Sequence, residues 1–181
     1  VTSTEDAFDL RLAAGSFGGI ILNNSGNAVG FSDGLVLGTE NGTSTIVNSG
    51  ILSGTGGFGI AGDVGPSDTA GVIRIINSGT ISGGQGSIFA TRDRVEITNS
   101  GTLLGNVTLG AANDTYDGRN GVLQGELWLN DGDDIARGGA GDEQFFGGAG
   151  NDMLTGGGGD DVISGGSDID LIDGGSGDDG L

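Results

Sequence analysis

The 181 residues contain no Cys and no His, a single Pro, six cations that are all Arg, and aromatic side chains at only 5% of positions. Each scarcity removes a class of chemistry. Without Cys there is no disulfide framework and no thiolate metal centre; without His there is no imidazole base or zinc ligand. Six Arg stand against 25 acids, a formal net charge of -19, and so acidic a surface disfavours nucleic acid and anionic lipid as partners. No apolar run approaches the roughly 20 residues of a membrane-spanning helix. No charged-then-apolar signal peptide opens the chain, and with Val as its first residue it reads as a processed or excised segment. Collagen is excluded as well, because the 43 Gly follow no G-X-Y period.

What the chain has is repetition. Residues 138–181 divide into nine-residue frames, GGAGDEQFF, GGAGNDMLT, GGGGDDVIS, GGSDIDLID and a short GGSGDDGL. The sixth position holds Glu143, Asp152, Asp161, Asp170 and Asp179. The eighth holds Phe145, Leu154, Ile163, Ile172 and Leu181. Period nine with paired glycines and a fixed acid is far more specific than a lone glycine motif. Paired glycines permit positive φ, so the chain turns sharply and aims carbonyl oxygens inward, and the sixth residue adds a carboxylate. Carbonyls and carboxylates together are ligands for calcium, a hard cation that takes six to eight oxygens at about 2.3–2.6 Å. Each frame is expected to end in a three-residue strand, such as Met153-Leu154-Thr155, whose middle side chain enters a core.

These frames resemble the RTX, or hemolysin-type, calcium-binding repeats of bacterial secreted proteins. The resemblance implies a parallel β-roll with two frames per turn and several bound calcium ions. It also implies carboxylate pairs two frames apart: Asp134 with Asp152, Asp152 with Asp170, Asp161 with Asp179, and Glu143 with Asp161. The last pair departs from the pattern, because Glu143 is one methylene longer than Asp; that site is distorted, weak or rescued by Asp142. Asp168 stands where the fourth glycine belongs, a position that Asp tolerates, and it adds a further candidate ligand. The candidate metal set comprises Asp114, Asp134, Glu143, Asp152, Asp161, Asp168, Asp170 and Asp179. The loop glycines Gly139, Gly141, Gly148, Gly150, Gly157, Gly159, Gly166, Gly175 and Gly177 complete it.

The register continues upstream in altered form. Residues 129–137, LNDGDDIAR, and 109–117, LGAANDTYD, keep an acid sixth, Asp134 and Asp114, with a 20-residue spacing between them. Further back, Asn-Ser-Gly recurs at Asn24, Asn48, Asn77 and Asn99, each flanked by short β-branched stretches such as Ile73-Arg74-Ile75-Ile76. Strands bounded by Asn/Ser/Gly turns at periods above 20 read as coils of a right-handed parallel β-helix, and they resemble the coils of large bacterial surface proteins. The expected fold is therefore all-β: a parallel β-helix continuing into a calcium-binding β-roll. Four zones follow: a strand or assembly segment at 1–14, Asn-Ser-Gly coils at 15–104, wider transitional turns at 105–137, and the roll at 138–181.

Charge divides along the same line. Residues 113–181 carry sixteen acids against two Arg, or -14, and residues 1–112 nine against four, or -5. Carboxylates stacked on coils a few ångströms apart repel, and a glycine-rich chain loses much entropy on ordering, so the roll is expected to order only with metal. No catalytic constellation is visible, and the chain is read as non-enzymatic. The expected role is an extracellular or cell-surface structural element that self-associates end to end, its opening segment Val1–Leu12 lending a strand to a neighbour. Two alternatives stay open. One is an adhesin that grips an anionic surface polysaccharide with Arg92 and Arg94, residues equally explained as charges guarding a sheet edge. The other is a fragment of a polysaccharide-modifying β-helix enzyme. Asn24, Asn48, Asn77 and Asn99 are expected to form side-chain ladders or left-handed turns rather than a ligand site. Tyr116 and Trp128 are expected to fill the core or the junction.

Overall fold

The computed structural model describes residues 8–11, 19–38, 42–62 and 71–181. Among them there is no helix, and every strand pairing is parallel. In chain order the strands are β1 (Phe8–Arg11), then β2 (Ile21–Asn24), β3 (Asn27–Gly30) and β4 (Leu35–Gly38). There follow β5 (Thr43–Asn48), β6 (Ile51–Gly54), β7 (Phe58–Gly62), β8 (Val72–Asn77), β9 (Thr80–Gly83), β10 (Gly86–Phe89), β11 (Arg94–Asn99), β12 (Thr102–Leu104) and β13 (Val107–Thr108). The last eight are β14 (Thr115–Asp117), β15 (Val122–Gln124), β16 (Glu126–Asp131), β17 (Ile135–Arg137), β18 (Gln144–Ala149), β19 (Met153–Gly158), β20 (Val162–Ser167) and β21 (Leu171–Ser176). They stack as a β-solenoid of about 7 turns.

Two walls run its whole length. One is the sheet β1-β4-β7-β10-β13-β16-β18-β20, the other β2-β5-β8-β11-β14-β17-β19-β21. A third wall, β3-β6-β9-β12-β15, stops at Gln124. The solenoid thus changes from three-sided to two-sided, and the coil length falls with it. Thr115 pairs with Ile135 at a spacing of 20 residues, whereas Ile135 pairs with Met153, and Met153 with Leu171, at 18.

Alternation makes the core. Alternate side chains of a strand turn inward and meet their equivalents in the next coil. The second wall contributes Ile46, Ile75, Ile97, Tyr116, Ala136 and Leu154, all buried and in register. The first wall contributes Leu35, Ile60, Ile88, Val107, Leu127, Phe145 and Ile163. Ala28, Leu52, Ile81, Leu103 and Leu123 line the third. Where that wall ends, Tyr116 fills the narrowing interior: its ring meets Phe145 edge-on at 5.9 Å and sits over the small Ala136. Ile172, by contrast, is only partly buried, and Leu181 is 70% exposed.

The four Asn-Ser-Gly asparagines form a single internal ladder. Each Nδ2 donates to the Oδ1 of the next, Asn24 to Asn48 at 2.7 Å, Asn48 to Asn77 at 2.8 Å and Asn77 to Asn99 at 2.8 Å. The side chains also bond turn carbonyls, including Gly50, Thr80 and Thr102. A buried amide costs little when both its ends are satisfied, and here it fixes the register of four turns of unequal length.

Three expectations need correction. Strands of the roll run six residues, because identical loops stack and carry the ladder through the glycine pairs, as at Gly148 beside Gly166. Trp128 lies outside the core, on the outer face of β16. It stacks on Phe146 at 4.1 Å and donates its Nε1 proton to Glu126. Within the opening segment, Phe8–Arg11 pair with β4 of the same chain, while residues 1–7 and 12 lie outside the described residues.

Candidate metal centre

Stacking places the sixth-position acids in two columns. On the second wall Asp114, Asp134, Asp152 and Asp170 each immediately precede a strand; on the first wall Glu143 and Asp161 do the same, and Asp179 precedes Gly180, which bridges to Val162. Within a column each carboxylate after the first accepts, through Oδ1, the backbone N–H of the acid one coil earlier, and Asp114 accepts that of Val95 at 2.7 Å. The distances are 2.6 Å from Asp114 N to Asp134, 2.9 Å from Asp134 N to Asp152 and 3.0 Å from Asp152 N to Asp170. Across the molecule they are 2.7 Å from Glu143 N to Asp161 and 3.0 Å from Asp161 N to Asp179. The four pairs expected from the repeat are therefore neighbours in space.

These bonds use one oxygen of each carboxylate. The Oδ2 atoms of Asp134, Asp152 and Asp161 are buried and have no hydrogen-bond partner. A buried carboxylate oxygen left so is strongly unfavourable unless a cation or a proton meets it. Its surroundings are built from backbone. A Cβ placed on Gly156 would collide with Asp161 Oδ2 and come within 2.6 Å of the Gly174 carbonyl oxygen, and one on Gly147 would strike Asp152 Oδ2 and the Gly165 carbonyl. Only glycine leaves that cradle open. Among the described residues no three carboxylates converge on one point, so a cation held here takes its remaining oxygens from carbonyls, which suits calcium better than a transition metal.

Without a cation, burial raises four of these acids. Burial, with the Asp114, Asp152 and Asp133 carboxylates adding to it, pushes Asp134 up to about 7 against the bond from Asp114 N–H. Glu143 rises to about 7 and Asp114 to about 6, burial again the main cause, and Asp152 is raised for the same reason.

The loop backbone explains the glycines. Positive φ occurs at the second and fourth positions of four frames, at Gly148 and Gly150, Gly157 and Gly159, Gly166 and Asp168, and Gly175 and Gly177. Asp168 takes the left-handed place with φ 78°, but its side chain is exposed and its Oδ2 receives only the Ser167 hydroxyl. The loop at 129–134 does the same with Asn130 and Gly132, a place the sequence reading had not singled out; asparagine's tolerance of that region is the signal it offers. Gly139 and Gly141 are not in that conformation. Asp142 is directed outward, into a separate exposed ladder where it accepts Asp160 N–H at 2.9 Å and Asp160 accepts Asp178 N–H at 2.9 Å. It does not reach the Glu143 position.

Residues 127–154 and 155–181 match the model of the RTX calcium-binding nonapeptide repeat (4 copies). The C-terminal coils are RTX repeats. Such repeats bind calcium, several ions to an array, and the orphaned oxygens and glycine cradles of this chain fit that ion. No curated protein and no solved structure matches the chain. The RTX repeat is generally a structural, calcium-binding element, and proteins that carry it are typically exported by bacterial type I secretion.

The proposed anion grip has a different setting. Arg94 pairs with Glu96 at 3.3 Å, and Arg74 holds the same carboxylate at 2.6 Å. Arg92 and Arg94 are both exposed, on either side of a buried Asp93 that accepts Gly71 N–H at 2.6 Å.

Proposed function

We propose that this chain is an extracellular structural element: a solenoid whose C-terminal coils stay unfolded and threadable where calcium is scarce and lock into a rigid roll where it is plentiful. The buried, unpartnered Oδ2 atoms of Asp134, Asp152 and Asp161 carry the reading. They belong to a segment of net charge -14 whose folded form sets carboxylates one above another, so the energy of binding a cation is energy of folding. Asp134, Asp152, Asp161, Asp170 and Asp179 would hold the ions together with the loop carbonyls. The three-sided coils have a different basis of stability, a largely apolar interior threaded by the asparagine ladder, and act as the permanent base on which the roll forms.

Hydrogen exchange along a calcium titration tests this. Residues 129–181 should gain protection as calcium rises through about 10⁻⁶ to 10⁻³ M, the span of sensor and extracellular sites, while residues 43–104 stay protected throughout. Asp152→Ala should move the midpoint upward and Asp142→Ala should not. Full protection of the roll in chelator would end the proposal. The edge formed by β20 and β21, with Leu171 exposed on it, would accept a further coil, whether from a continuation of the chain or from a second copy. Sedimentation of the chain with and without calcium distinguishes end-to-end assembly from a monomer.

A further inference from the structure

We propose that calcium enters only three inter-coil spaces of this chain, those following Asp134, Asp152 and Asp161, and that the loops at 109–114 and 138–143 are metal-free caps that close the array at its N-terminal side. The inference rests on the calcium-binding reading above and goes beyond it, because loop 138–143 has the repeat's own sequence.

Two independent observations divide the loops in the same way. The first is the fate of the second carboxylate oxygen. Asp114 Oδ2 accepts the N–H of Gly110 at 3.4 Å, and Glu143 Oε2 accepts the N–H of Gly139 at 3.2 Å, in each case a donor four residues back in the same loop. In the loops that follow, the buried Oδ2 atoms of Asp134, Asp152 and Asp161 have no such donor. The second is backbone conformation. Loops 129–134, 147–152 and 156–161 each place two residues at positive φ, and loops 109–114 and 138–143 place none.

The cause lies in the preceding coil, not in the sequence. Residues 138–141 and 147–150 are the same tetrapeptide, Gly-Gly-Ala-Gly, yet only the second is left-handed. Loop 147–152 stacks on loop 129–134, with Gly148 beside Asn130. Loop 138–143 instead meets the turn of the last three-sided coil, where a Cβ on Gly139 would lie 3.2 Å from the Gly118 carbonyl oxygen and 3.4 Å from that of Gly121. No matching loop is there to set the glycine carbonyls. In the other five loops the residue four before the acid, Asn130, Gly148, Gly157, Gly166 or Gly175, belongs to a strand, whereas Gly110 and Gly139 lie outside any strand and turn their N–H groups to the carboxylate. Glu143 suits this role because its extra methylene reaches back to Gly139.

The test counts ions. Equilibrium dialysis of the 181-residue chain with metal analysis, at about 0.15 M salt to screen loose association, should give three calcium ions. Glu143→Gln and Asp114→Asn should leave that count and the calcium midpoint unchanged. Asp161→Asn should lower the count by one. A wild-type count other than three, or the loss of an ion in Glu143→Gln, overturns the inference while leaving the chain a calcium binder. Binding of no calcium at all removes the underlying reading instead. If Asp161→Asn does not fold, the wild-type count and Glu143→Gln still decide.

Discussion

Withdrawing calcium should reverse the sign of the roll's pH dependence. In the metal-free fold Asp134 and Glu143 titrate at about 7 and Asp114 at about 6, whereas in an unfolded chain they titrate near 3.8 for Asp and 4.5 for Glu. Across that window the folded form binds more protons than the unfolded one. Metal-free stability is therefore greatest toward about pH 4 and is lost as pH rises through about 7. Each group contributes a slope of at most about 1.4 kcal/mol per pH unit inside its own window, and the three windows overlap between about 4.5 and 6. Against the roughly 5–15 kcal/mol that holds an ordinary domain together, this is a sizeable loss, and it falls on Asp134 and Glu143 in the two-sided coils and on Asp114 in the last three-sided one. With calcium the order inverts. Binding requires the carboxylate without its proton, so each pH unit below about 7 weakens the site that follows Asp134 by up to about tenfold. Hydrogen exchange of residues 129–181, on dialysed protein and in millimolar calcium, at about pH 5 and about pH 8 reads both slopes. If the metal-free roll becomes better protected as pH rises, the burial of these carboxylates has been misjudged and the argument fails.

Five substitutions probe the core, the ladder and the loop backbone. Ile75→Asp puts an unpaired charge into a fully buried position between Ile46 and Ile97, and should cost several kcal/mol and abolish cooperative melting of the three-sided coils, whereas Arg92→Ala should leave their melting temperature nearly unchanged. Asn77→Leu removes the donor to Asn99 Oδ1 and the acceptor for Asn48 Nδ2, leaving buried groups unmet on both sides; denaturant melts should show a loss of about 2–4 kcal/mol, and a neutral result would mean that the ladder does not hold the register. Gly148→Ala should raise the calcium midpoint more than Gly139→Ala, because only Gly148 needs positive φ, at 118°, and its Cβ would collide with the Asn130 carbonyl.

Much of this molecule is written in its periods. Nine residues with an acid sixth and an apolar eighth are enough to place Phe145, Leu154 and Ile163 inside and to pair coils 18 residues apart, since a parallel stack of equal coils puts like residues against like. The Asn-Ser-Gly spacings of 24, 29 and 22 residues are unequal, yet the asparagines align, because the insertions fall elsewhere in the coil and the turn residue is pinned by its own hydrogen bonds. Trp128 was misplaced for the converse reason. Size and hydrophobicity suggest the core, but alternation along β16 gives the inward places to Leu127 and Leu129 and leaves the indole to stack outside on Phe146.

The identity of a loop is the part that its own sequence does not determine. In a solenoid each coil is folded against the one before it, so a glycine pair is permitted a left-handed turn but is driven to it only when the preceding coil presents a matching carbonyl. Asn130 and Gly132, outside the glycine-pair motif, are left-handed, and the perfect motif at 138–141 is not, although both loops offer their carbonyls to the coil that follows. The same logic gives folding a direction. Loops 109–114 and 138–143 are satisfied by their own N–H groups, so neither waits for an ion of its own, and stacked on the three-sided coils they supply the first surface on which a calcium loop can close. Shortening the chain from its N-terminal side should therefore weaken calcium binding well before the cut reaches a carboxylate. A peptide of residues 138–181, which keeps the carboxylates Asp152, Asp161, Asp170 and Asp179, should order only at far higher calcium than the same residues do in the intact chain. Equal midpoints would show that the roll forms without its base.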